Sequence, residues 1–174
     1  MLLRRIILLV MLVVAGAAQA AGGWQPVSAP RALGAKWMAA VTNAQGHTLR
    51  VFRKVGRAGY EAFAEVSLAN GQQFGNFMPS YRIDQGKLED TTIIKIAGDN
   101  MGLRWGYVEA ERAGWRIWQG TDRVIDANTS LAPWLKGNRL TLRYIDAKGK
   151  SQVTEFSLTG SANAITQALT GPFQ

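Results

Sequence analysis

From Trp37 onward the apolar residues of this chain recur at every second position, in short runs broken by glycine-rich turns, and that period allows little besides a half-buried β-sheet. The clearest run sets Tyr60, Ala62, Ala64, Val66 and Leu68 on one side and Glu61, Glu65 and Ser67 on the other, with Phe63 out of pattern. Before it, Leu49, Val51 and Val55 share a face opposite Arg50 and Lys54, and Phe52 is the exception. Gly56-Arg57-Ala58-Gly59 lies between the two runs, which predicts a hairpin. Asn70-Gly71 marks the next turn, and Pro79 interrupts the stretch Phe77 to Ile83, as an edge or bulge would require.

Further runs follow. Thr92, Ile94 and Ile96 alternate before Gly98-Asp99-Asn100; Leu103, Trp105 and Tyr107 share a face with Arg104 opposite; Trp115 to Trp118 follows Gly114 as a hairpin partner. Leu140, Leu142 and Tyr144 alternate with Arg139, Thr141 and Arg143 before the turn Asp146 to Gly149 and the run Val153 to Leu158. Two segments break the pattern. Pro133 and Gly137 bracket a short helix near 130–136. Ser161, as N-cap, opens a helix near 161–170 whose stripe is Ala162, Ile165 and Leu169, stopped by Gly171-Pro172. The expected fold is mainly β: an antiparallel β-sandwich or open barrel, with a short helix near 130–136 and a C-terminal helix near 161–170.

The first twenty residues read as a secretory signal peptide. Arg4 and Arg5 form the n-region, Ile6 to Gly16 is apolar, and Ala18-Gln19-Ala20 offers a cleavage site after Ala20. The apolar run, about 11 residues, is too short to span a bilayer, and no second stretch of spanning length follows. The expected organisation is a leader over 1–20, an extended N-terminal segment over 21–36 and a single β-rich domain over 37–174, located in the periplasm or secreted. The chain has no cysteine, so neither a lipid anchor at the cleavage site nor a disulfide can hold it. Its apolar core must do so alone, which is feasible at this size. Losing the two leader arginines lowers the formal net charge from +8 to +6. An anionic envelope component or another exported protein is therefore an expected partner. Specific nucleic-acid recognition is not expected, because like charges form no run.

Chemistry is sparse. With one histidine, His47, and no thiol, the chain has no catalytic triad signature, and His47 itself reads as a surface residue at a turn. The same scarcity excludes the usual zinc sets. Asp122 to Asn128 lacks the spacing of a calcium loop and carries Arg123 inside it. Glycine turns at 56–59 and 98–102 lack the lysine and helix start of a nucleotide cradle. No catalytic residue, metal or cofactor is assigned. The remaining candidate is a basic and aromatic binding face made of Arg50, Arg104, Arg116, Trp118 and Arg143, with Arg53 also on a strand run. Trp105 and Trp115 fall on apolar faces and read as core; Trp118 lies opposite them, beside Arg116.

The C-terminal third, with Leu135-Lys136-Gly137 before a strand, the turn at Gly149 and Ser157-Leu158-Thr159-Gly160 opening the last helix, resembles the invasion-associated locus B family of exported proteobacterial proteins. The stretch Tyr81-Arg82-Ile83-Asp84 is compatible with it. The resemblance implies a small periplasmic or secreted β-protein, linked to host contact in pathogenic members, and implies no catalytic residues. The expected function is non-enzymatic binding at the envelope. The alternatives are a hydrolase of envelope polymers using carboxylates such as Asp84 and Glu89, and a structural partner in an exported complex.

Overall fold

The computed structural model describes residues 22–29, 36–56, 59–91, 106–120 and 130–171. In chain order the strands are Gln25–Ser28 (β1), Trp37–Thr42 (β2), Thr48–Gly56 (β3), Gly59–Ser67 (β4), Ser80–Ile83 (β5), Glu89–Asp90 (β6), Gly106–Val108 (β7), Arg112–Gly120 (β8), Arg139–Ile145 (β9) and Ser151–Ser157 (β10). The helices are Ala132–Lys136 (α1) and Ser161–Thr170 (α2), where the sequence expects them. Two open antiparallel sheets result, one ordered β1-β2-β3-β4-β8-β7 and the other β10-β9-β5-β6. The extended entry segment is thus partly a strand: residues 25–28 pair with β2 at the edge of the large sheet. The signal peptide, its Ala20 cleavage site, Arg104 and the alternating runs at 92–96 and 103–105 lie outside the described residues.

The alternation sets the main core. Leu49 faces Val66 and Val51 faces Ala64 across β3 and β4. Their inner face packs with Trp115 of the large sheet and Leu140, Leu142 and Phe156 of the small one. The two residues that broke the pattern, Phe52 and Phe63, are cross-strand partners. Their rings stack 5.9 Å apart at 13° and form, with Met38 and Ala29, a second apolar cluster on the opposite face. Each exception looks like noise alone; together they set an apolar patch on the otherwise charged outer face of the large sheet.

A β-bulge corrects one expectation. Along β4 and β8, Ala64 pairs with Trp115 and Phe63 with Arg116, but Ala62 pairs with Trp118, so β8 holds one residue more. The extra residue shifts the side-chain phase. Trp118 therefore comes to the inner side, half-buried against the main core, instead of standing outside beside Arg116. Gly114 is likewise not at the turn but inside β8, where a Cβ would lie 2.6 Å from the Tyr107 ring.

Helix α2 covers the inner face of β2 and β3, burying Ala164, Ile165, Ala168 and Leu169; Ala162 is only half-buried beside that stripe. Its N-cap is Gly160, at φ 79°, rather than Ser161. Ser161 is fully buried as the first helical residue, and its hydroxyl donates to the Trp134 carbonyl at 2.7 Å, tying α2 to α1. Arg53 keeps the phase of Leu49 and Val51. It lies on the inner face, 2% exposed, with its guanidinium donating to the Leu169 and Gly171 carbonyls at the end of α2 (2.7 and 2.6 Å).

Side chains from the large sheet's side of the fold close one flank of the sandwich. The Asn43 amide donates to Thr154 Oγ1 at 2.7 Å and to the Glu155 carbonyl at 2.9 Å, and its oxygen accepts the N–H groups of Gln45 and His47. Trp24 Nε1 donates to the Ser157 carbonyl at 2.8 Å. These contacts occupy main-chain acceptors on β10, an edge strand that would otherwise invite pairing with another chain.

His47 belongs to the same seam and is buried, 1% exposed, which corrects its reading as a surface residue. Its Nδ1 accepts the Ala69 N–H at 3.0 Å, and burial lowers its pKa from the ordinary 6.5. A pKa lower in the folded chain than in the unfolded one means that the unfolded chain binds more protons between the two values. Stability is then complete above about pH 6.5 and declines as pH falls below it toward the folded value. We expect melting temperature to drop on acidification from pH 6.5 to 5, and His47→Asn, whose Oδ1 can take the same N–H without titrating, to flatten that slope. An identical slope in wild type and variant would exclude His47 as the cause.

Candidate functional site: a cleft between the sheets

The flank opposite the seam, where β5 and β6 form the other side of the small sheet, opens into a cleft of about 420 Å³. Its walls come from three distant parts of the chain: the β5–β6 hairpin, residues 115–117 of β8, and residues 130–134 leading through α1. Gly137 lets α1 sit close to the hairpin, since a Cβ there would lie 2.4 Å from Ile83 Cγ2 and 2.6 Å from the Pro133 carbonyl.

The inner wall is aromatic. Tyr81 stacks on Trp115 with centroids 5.4 Å apart at 29°, and lies 5.4 Å from Trp134 at 55°. Both tryptophans are nearly fully buried, so they back the cleft rather than stand open to it. Trp115 Nε1 is buried and meets no acceptor at hydrogen-bonding geometry. Burial raises the Tyr81 pKa, the nearby Trp134 indole works against that rise, and the Glu89 charge adds to it. The phenol therefore stays protonated at neutral pH and keeps a donor to offer.

The rim carries both signs: Lys87 against Glu89 and Asp90. Residue 116 also lines the cleft, but the Arg116 guanidinium is buried and turned to Glu61. An apolar back wall under a rim of mixed charge suits a small amphipathic molecule, whose ring or chain meets the aromatics and whose polar groups meet the edge. Asp84 is placed otherwise. Its carboxylate accepts the N–H groups of Asn138 and Arg139 (Oδ1 at 3.1 and 2.9 Å), fastening β5 to the start of β9, and it is not among the described cleft-lining residues. Glu89 does line the cleft, so the two carboxylates are not brought together there.

The other arginines of the expected binding face are dispersed. Arg50 and Arg116 share the outer face of the large sheet, yet each meets a carboxylate: Arg50 reaches Glu65 at 3.2 Å, and Arg116 reaches Glu61 at 2.8 Å with both side chains largely buried. The Tyr107 hydroxyl also bonds to Glu65, and its pKa is pushed up by burial and by that bond. Arg143 lies on the other sheet, and Trp118 faces inward. The sequence reading missed Tyr81, Trp115 and Trp134 as neighbours because they stand far apart in the chain; the alternation at Tyr81 and Ile83 was their one local signal. No family model, curated protein or solved structure matches this chain.

Proposed function

We propose that this protein is an exported, non-enzymatic binding protein of the cell envelope that holds a small amphipathic molecule in the cleft between its sheets. The observation that carries this reading is the wall of Tyr81, Trp115 and Trp134 beneath a rim of Lys87, Glu89 and Asp90. Kinship with the invasion-associated locus B family forms part of the same proposal, as does the leader that would deliver the chain to the envelope.

The two tryptophans make the cleft self-reporting. Protein purified natively from its exported fraction is expected to carry a bound small molecule in native mass spectrometry. Adding that molecule back to stripped protein should shift tryptophan emission. Lys87→Trp, which places a large ring at an exposed point of the rim, should abolish retention while leaving the melting temperature close to wild type. A protein that retains nothing, and whose emission does not move on titration with an envelope extract, would sink the reading.

A further inference from the structure

The outer face of the small sheet carries a second feature, separate from the cleft. Leu140, Leu142 and Tyr144 of β9 turn into the core, so Arg139, Thr141 and Arg143 turn outward. On β5 the inward residues are Tyr81 and Ile83, which leaves Arg82 outward. The register sets Arg82 directly opposite Thr141. Arg139 and Arg143 are then its two diagonal neighbours, about 7–8 Å away. Three guanidinium groups therefore surround one buried threonine on a single sheet face.

Their charge is only partly answered. Glu155 reaches Arg139 at 3.5 Å and Thr141 at 3.3 Å. Asp90 stands on β6 beyond Ser80, the residue opposite Arg143. Arg82 and Arg143 make no ion pair with any described residue, and Arg82 Nε is buried without a hydrogen-bond partner. On the other side of Arg143, in register, stands Val153, 51% exposed. At the end of the same hairpin, Lys148 and Lys150 are exposed.

We propose that this face docks on a membrane surface rich in anionic phospholipid, with Arg82, Arg139 and Arg143 bound to headgroup phosphates. Guanidinium binds phosphate through paired, geometrically matched hydrogen bonds, which makes arginine the fitting cation here. The face is a sheet surface turned away from the cleft, which lies on the side of Tyr81 and Ile83, and this suits an extended plane of phosphates rather than one enclosed anion. Val153 adds an exposed apolar side chain where the headgroup boundary can receive it.

The probe is a set of vesicles of phosphatidylcholine alone or with phosphatidylglycerol, assayed by co-sedimentation with the whole protein. Wild type should bind only the anionic vesicles, and salt near 1 M, where charges are screened beyond about 3 Å, should release it. Each arginine lost should weaken binding about fivefold, so Arg82→Gln with Arg143→Gln should weaken it roughly 25-fold. Arg112→Gln, on the large sheet, should leave it unchanged. If the double variant melts early, Arg143→Glu alone, at an exposed site, should still weaken binding by at least that fivefold step. Equal binding to both vesicle types overturns the proposal, and so does an equal loss from Arg112→Gln. Preference for a polyglutamate peptide over the vesicles also overturns it, in favour of an acidic protein partner.

Discussion

Replacing Arg53 with alanine should lower the stability of this protein by about 3–4 kcal/mol, although the residue stands on a strand and touches no candidate ligand site. Helix α2 has no basic residue in its last turn, and the C-terminal carbonyls of a helix lack partners within it. Arg53 supplies both a cation and two donors from β3, bonding to the Leu169 and Gly171 carbonyls, while its guanidinium lies 5.7 Å from the Tyr60 ring centroid. Hydrogen bonds from a charged donor contribute about 1.5–3 kcal/mol each, and acceptors left buried without them cost more than a neutral bond would. For a domain of this size the loss corresponds to a fall of roughly 6–16 °C in melting temperature. Arg53→Lys should fall between, keeping the charge but not the two-pronged reach. Chemical denaturation of the three proteins checks this; a loss below about 1 kcal/mol for alanine would mean that α2 is held by its apolar stripe alone.

Glu61→Ala should cost about 1.5–3 kcal/mol, because it removes the carboxylate 2.8 Å from the Arg116 guanidinium, whose side chain is only 5% exposed. The sign of the second substitution separates pairing from packing. Glu61→Leu combined with Arg116→Met removes both charges and keeps apolar volume beside Phe63, so the double variant should be more stable than Glu61→Ala. A double variant less stable than Glu61→Ala would show that Arg116 contributes chiefly through its other contacts.

The hairpins, both helices and most inward faces were legible because a pleated strand alternates sides and glycine punctuates it, both of which are local properties. Tyr107 is the exception: read on an apolar face, it stands on the outer side in the row of Gly114 and Glu65, while Val108 meets the core. The outward position of Trp118 was a fair inference from an unbroken period. It failed because one extra residue in β8 shifts the phase, and the string of letters does not mark where two strands fall out of step. Phe52 and Phe63 were visible as exceptions, but their meeting depends on the register of β3 with β4. Arg53 was read only as a strand residue and His47 as a surface one. The one is held inside by helix-end carbonyls and the other by the Ala69 N–H, partners that no local pattern identifies.

The amino-acid order by itself determined a β-rich domain closed without disulfides, its two short helices and the inward side of most strands, since these follow from periodicity and turn chemistry within a few residues. Only the tertiary structure decided which arginines meet carboxylates and which stand open on a sheet, that one flank is sewn by Asn43 and Trp24, and that the opposite flank is a cleft backed by Tyr81, Trp115 and Trp134. The physical reason is pairing: charge balance and concavity arise from which strands lie side by side, and residues 50 positions apart acquire that relation only when the chain has folded.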